Sequence, residues 1–270
     1  MYSTWSLDPE VRVFEDVEEL SSGLAEYVHR VSEEAVSDRG SFSLVLSGGD
    51  IPHLLRKLGS LPYVRTAEWS RWHVFWAEEN LVPKRHPDSF YMQAKHSFIS
   101  KVPIPPAHII PVPHGVPGDA AANAYEYSIR QLIRTRTVPA SPSTDCPRFD
   151  LVILRLGPDG SISSFYFGHS VPDEDSQWVT AVSSPNTPLE RVALTLPVVN
   201  AASNVVVVAS GSDAARTFCE AVAGRRINED GSHPAHLIRP IDGKLIWFAD
   251  AAAAGLLSMH QHGGLSGTRA

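Results

Sequence analysis

The segment Asn204-Val205-Val206-Val207-Val208-Ala209-Ser210-Gly211 limits the fold more than any other stretch of the chain. Its valines follow one another without a polar break, so both faces of the strand they form must be buried. Strands buried on both faces belong to parallel sheets covered by helices. The remaining sequence agrees. Val11–Phe14, Phe42–Leu46, Arg71–Ala77, Phe149–Leu154, Val179–Val182 and Val192–Leu196 read as strands. Helical spacing appears between them. Glu15 to Asp38 sets Leu20, Leu24, Tyr27, Val28 and Val31 on one face and ends at Gly40. Alternation of this kind predicts an α/β fold, doubly wound, with a largely parallel sheet flanked by helices.

Further helices are expected over Ile51–Leu58, Ser89–Ser100, Ala120–Thr135 and Asp213–Ala223, with a short helix or turn over Pro197–Ala202. Tyr91, Met92, Lys95 and Phe98 are the facing positions of the second, and Tyr125, Ile129, Leu132 and Ile133 those of the third. His236–Ile238 and Lys244–Phe248 read as strands around an Asp242-Gly243 turn, and Asp250–Ala254 as a last helix. Ser163–Phe167 fits either a helix start or a strand. Residues 103–117, 137–147 and 184–188 are proline-rich loops. The expected organisation is an extension over residues 1–10, a single α/β domain over 11–257 and a flexible tail over 258–270.

The 270 residues can bury a sizeable core. Lys and Arg number 23 against 30 Asp and Glu, and this net charge of −7 argues against a broad nucleic-acid or anionic-membrane surface. No apolar run nears the ~20 residues that cross a bilayer. The N-terminal ten residues lack the pattern of a signal peptide, and the two cysteines, Cys146 and Cys219, form no metal spacing, so a cytoplasmic protein is expected.

Three polar segments follow buried strands, where open α/β sheets place ligands. Ser47-Gly48-Gly49-Asp50 has the composition of an anion cradle, or of a tight turn with no ligand. Glu78-Glu79-Asn80 offers two carboxylates for acid–base work, or a solvated loop. Gly157-Pro158-Asp159-Gly160-Ser161 carries a carboxylate beyond a buried strand, although Pro-Asp-Gly is also ordinary turn chemistry. Neither the dinucleotide fingerprint nor the Walker pattern occurs.

These segments stand in order with Ser184-Pro185-Asn186, Arg191-Val192-Ala193-Leu194-Thr195-Leu196-Pro197 and Lys244-Leu245-Ile246-Trp247-Phe248-Ala249-Asp250. Together they closely resemble the 6-phosphogluconolactonases, the plant cytosolic forms in particular, from about Val11 to Ala254. The resemblance implies a fold related to the glucosamine-6-phosphate isomerases. It also implies hydrolysis of a phosphorylated sugar lactone, 6-phosphoglucono-δ-lactone, in the oxidative pentose phosphate pathway. No metal or organic cofactor, and a monomer or weak homodimer, are expected with it. The matching positions are Asp159 as a catalytic group and Ser47, Gly48, Gly49, Gly157, Gly160 and Arg191 around substrate and phosphate; Glu78, where the pattern has aspartate, is placed with the latter, and Ser161 with Asp159 in the histidine's position.

The sequence departs from that family's pattern at the site. Ser161 stands where the pattern has the histidine that would serve as general base, and serine does not titrate near neutral pH. Arg155 replaces a glycine and Asp50 a serine. Asn80 and Asn186 replace basic residues, Phe90 replaces an asparagine, and His233 and His236 replace a leucine and a glutamine. Two further readings therefore stand beside the lactonase. One is a catalytically impaired homologue that binds sugar phosphates or serves as a partner subunit. The other is an amino-sugar phosphate isomerase or deaminase.

Overall fold

In a computed structural model, residues 10–165, 177–183, 189–222 and 233–257 are described. Six strands run parallel in the order β1-β9-β8-β5-β2-β3. They are β1 (Glu10–Phe14), β2 (Phe42–Leu46), β3 (Trp72–Trp76), β5 (Leu151–Arg155), β8 (Asn204–Ala209) and β9 (Lys244–Asp250). The valine run is the interior strand it promised to be: Val205 to Ala209 are all buried between β5 and β9. A second sheet is antiparallel, with β4 (Glu78–Asn80), β7 (Glu190–Leu194) and β6 (Val179–Ser183) in that order.

The helices are α1 (Val17–Arg39), α2 (Ile51–Leu54), α3 (Tyr63–Thr66), α4 (Phe90–Ser97), α5 (Gly118–Arg134), α6 (Leu196–Asn200), α7 (Ala215–Val222) and α8 (Ala251–Ala254). Local chemistry fixes their ends. Asp16 accepts from the Glu19 N–H at 2.8 Å to start α1, and Gly40, at φ 75°, closes it through its N–H to Val36. Leu20, Leu24, Tyr27, Val28 and Val31 are buried as the spacing predicts. Asp250 caps α8 through the Ala253 N–H at 2.8 Å and also accepts from Ser210 and Gly211.

Connections from adjacent strands β2 and β5 leave in opposite directions, to β3 on one side and to β8 on the other. Their carboxyl ends therefore form the switch point of the sheet, where a crevice opens between diverging connections. Ser47-Gly48-Gly49 and Leu156-Gly157 begin there.

The structure corrects several expectations. Glu78–Asn80 is no solvated loop: it is strand β4, and all three residues are buried. The antiparallel sheet was not legible as a unit, because β4 is only three residues long and pairs with β7, a strand far along the chain. The buried row of α4 is Phe90 and Ala94, continued by Phe98, whereas Lys95 is exposed, because Phe90 is drawn inward onto Gly48. Strand β7 stops at Leu194, and Leu196 begins α6 with Pro197 in its first turn. Pro234–Leu237 is a 3₁₀ turn, not a strand; β9 pairs in parallel with β8 and β1, so no hairpin forms. Asp213 lies in a 3₁₀ turn (Ser212–Ala214) that leads into α7. Ser163 and Ser164 form a turn before Phe165, and the rest of that expected element lies outside the described residues, as do residues 184–188 with Asn186. Among the described residues no helix is long and apolar enough to cross a membrane.

Candidate functional site

The turn after β5 is built by its glycines. The Gly157 N–H donates to Ser161 O at 2.7 Å, and the Gly160 N–H to Gly157 O at 3.0 Å, with Gly160 at φ 78°. A Cβ on Gly157 would collide with the Asp159 carboxylate and the Ser161 hydroxyl, so only glycine lets both side chains fold over it. The Ser161 Oγ and N–H both donate to Asp159 Oδ1, at 2.6 and 3.0 Å. Thr217 on α7 donates to Gly157 O at 3.2 Å and pins the turn from behind. Asp159 itself is exposed.

Beside it lies the turn after β2. Its first residue does not present the donors expected of a cradle. The Ser47 N–H donates to Ile153 O at 3.0 Å, and its Oγ accepts from the Arg155 N–H at 3.0 Å. Ser47 thus ties β2 to β5. Gly48 lies under the Phe90 ring, closely enough that a Cβ would collide with it. Gly49, at φ 69°, lies under the Arg155 side chain. Arg155 Nε donates to Asp50 Oδ1 at 2.9 Å.

The antiparallel sheet forms a third wall. Cross-strand register sets Asn80 opposite Arg191 on β7. Arg191 Nε donates to Asn80 Oδ1 at 2.7 Å, and its Nη1 approaches Glu78 Oε2 at 3.3 Å. The guanidinium also lies 5.6 Å from the Phe90 ring centroid. Ser164, from the loop that follows the Asp159 turn, donates to Glu78 Oε2. One backbone residue joins this wall to the large sheet: the Ala77 N–H donates to Leu46 O at 2.7 Å, and Ala77 O accepts from the Leu194 N–H at 2.8 Å.

Glu79 faces the other way. It receives the Asn80, Phe90 and Tyr91 N–H groups at 2.8–2.9 Å and the Ser89 hydroxyl at 3.3 Å. It therefore anchors the start of α4 and turns Phe90 toward Gly48. Burial pushes its carboxyl up to about 7, against the pull of those four donors. Burial, not the neighbouring Glu78 carboxylate, is the cause of that rise.

The structure thus gathers Ser47, Gly48, Gly49, Gly157, Asp159, Gly160 and Ser161 around the switch point, with Glu78 and Arg191 on the adjoining wall. The sequence reading missed Glu79 as an anchor, Phe90 as a cover on Gly48, Ser164 as a partner of Glu78, and the Arg155–Asp50 pair. The substitutions at 50, 90 and 155 were visible singly; that 50 and 155 answer one another needed the fold. His233, buried beside His236, has its ring pushed down to about 4 by burial and by that neighbour. Among the described residues no group of three or more His, Cys, Asp or Glu side chains is placed to hold a metal ion.

Comparison with known proteins agrees with this architecture. The profile of the family described as glucosamine-6-phosphate isomerases/6-phosphogluconolactonase matches residues 15–247. The chain is 44% identical over 250 residues to "Probable 6-phosphogluconolactonase 1" of Oryza sativa subsp. japonica, covering 92% of this chain and 84% of the relative. It is 42% identical to "Probable 6-phosphogluconolactonase 1" of Arabidopsis thaliana, covering 92% and 93%. Among solved structures, 6-phosphogluconolactonase from Trypanosoma cruzi superposes with a TM-score of 0.81 at 23% identity over 95% of this chain and all of the other. A monomeric glucosamine-6-phosphate deaminase gives 0.69 at 18% identity over 92% and 99%. The structural likenesses carry the fold; with the sequence matches, they show that the chain belongs to the glucosamine-6-phosphate isomerase/6-phosphogluconolactonase family.

Proposed function

We propose that the chain is a 6-phosphogluconolactonase, hydrolysing 6-phosphoglucono-δ-lactone to 6-phosphogluconate in the oxidative pentose phosphate pathway. The observation that carries the reading is identity of 42–44% to relatives of that name over 92% of the chain. Water adds to the lactone carbonyl, a base accepts its proton, and the ring C–O bond then breaks as the ring oxygen gains a proton. Asp159 is the carboxylate nearest this chemistry in sequence. Arg155 and Arg191 are the cations available to a phosphate. We assign the protein to the cytoplasm, as a monomer or weak homodimer, with no nucleic-acid or membrane partner; chloroplastic forms also occur among its relatives.

One observation favours a second reading, an impaired homologue that binds the sugar phosphate. Ser161 stands where the family pattern has histidine, and its hydroxyl donates to Asp159. A missing general base typically removes about 10²–10⁴-fold in rate. The test is hydrolysis of freshly generated 6-phosphogluconolactone, corrected for spontaneous opening, by the native protein and by Ser161→His. A catalytic rate in the native protein is expected on the first reading. A rate at background that rises at least ~10²-fold only in Ser161→His selects the second. Background rates in both, with folded protein, remove lactone hydrolysis from the account.

A further inference from the structure

We propose that Arg155 is the specificity residue that reads the phosphate end of the ligand, and that Asp50 holds its guanidinium in the ligand's absence. The inference rests on the sugar-phosphate reading above and deepens it.

Asp50 follows Gly49 directly, and Arg155 closes β5, so the pair bridges the two strands of the switch point. Only Arg155 Nε is engaged by the Asp50 carboxylate; its two terminal nitrogens have no hydrogen-bond partner among the described residues. A guanidinium with such a free edge donates to two oxygens of a phosphate side by side. The side chains of Arg155 and Asp50 are 38% and 37% exposed, so a solute reaches both. Arg191, the other guanidinium of the site, is 15% exposed and set against Glu78 and Asn80. Gly49 completes the arrangement. Without a Cβ it lets the Arg155 stem lie across the turn, with the guanidinium beside Gly49.

The two residues also explain one another. Arg155 adds a cation where the family pattern has glycine, and Asp50 adds an anion where it has serine. Together they leave the charge at the turn unchanged until a ligand arrives. A phosphate must then displace the Asp50 carboxylate or share the guanidinium with it, at a cost in repulsion. Exposed pairs of this kind contribute up to about 1 kcal/mol, which is roughly fivefold in affinity.

The experiment is a calorimetric titration with 6-phosphogluconate, and with unphosphorylated gluconate as control, at low and physiological salt. The proteins are native, Asp50→Asn, Arg155→Gln and the double variant, each checked for folding by thermal denaturation. Asp50→Asn is expected to bind 6-phosphogluconate about fivefold more tightly, with the gain shrinking as salt rises. Arg155→Gln is expected to bind it at least ~10-fold more weakly, and the double variant should match Arg155→Gln. Gluconate should not distinguish the four. Equal affinity for 6-phosphogluconate across all four overturns the inference and leaves the lactonase reading standing, as does weaker binding by Asp50→Asn. Binding by none, native protein included, overturns the inference, and the sugar-phosphate reading falls with it when hydrolysis is also at background.

Discussion

From Val205 to Ala209 every residue of β8 is sealed from water, and Val152 to Leu154 of β5 and Ile246 to Ala249 of β9 beside it are sealed with it. One turn beyond the carboxyl ends of β2 and β5 the composition changes. Two guanidiniums and four carboxylates crowd segments that hold glycine, serine and asparagine. Val205 to Ala209 carry no polar side chain, because burying an unpaired polar group there costs several kcal/mol. The rim tolerates exchange, provided that each new charge meets a partner. Arg155, where the pattern has glycine, meets Asp50, where it has serine. The comparison teaches that a family's fold and its site drift under separate constraints: packing holds the first, local charge balance the second.

The contrast is tested most severely in the interior. Phe248 is fully buried on β9, with Phe14 and Tyr27 ring centroids at 5.3 and 5.5 Å. Phe248→Ala should cost about 3–5 kcal/mol in chemical denaturation, enough to threaten the fold. A loss below 1 kcal/mol would mean that the interior is no less forgiving than the rim.

Glu79 belongs to both regions, since it is a charged group of the rim that is buried like the core. Its folded pKa, about 7, lies above the ordinary carboxyl value of 4.5. Stability from this group is therefore fully present below pH 4.5 and is lost as pH rises through 7. His73 and His233 act oppositely: burial and a neighbouring histidine hold each near 4, so their contribution is lost as pH falls through 4. The difference between native and Glu79→Gln stability isolates the first effect. It should shift by about 1–3 kcal/mol between pH 4.5 and 7.5, native protein losing more as pH rises. A difference independent of pH would mean that the four donors already hold the carboxylate ionised throughout.

The smallest effect should come from the site turn. Ser161 bonds to Asp159 two residues away, an exposed local contact, so Ser161→Ala should change stability by no more than ~0.5 kcal/mol. A larger loss would show that the turn carries fold energy, blurring the line between the regions.

Much of this was readable in advance, for physical reasons. Val205–Val208 announced a doubly buried strand because nothing else buries four consecutive β-branched residues so simply. Helix α1 announced itself through its spacing and through Gly40. What stayed hidden depended on distant partners. Glu78 and Asn80 look like a solvated loop until Arg191 arrives opposite them, 111 residues from Asn80 along the chain. Lys95 looked inward-facing until Phe90 fixed the rotation of α4. At the site, residue types were legible singly, while the pairing of 50 with 155 is a property of two adjacent strands.

Ala77 has a consequence of a different kind. Among the described residues, the backbone hydrogen bonds between the two sheets both pass through it, one to Leu46 and one from Leu194. The wall bearing Glu78, Asn80 and Arg191 thus shares one backbone joint with the parallel sheet, and α5 braces both, with Tyr125 bonded to Trp76 and Glu126 accepting from Trp178 and Val179. Because no strand ladder runs between the two sheets, side chains on this wall can be rewritten without re-registering the six strands behind it. The joint itself is the costly place to edit, for a bulkier residue at a position only 3% exposed would pry the two sheets apart.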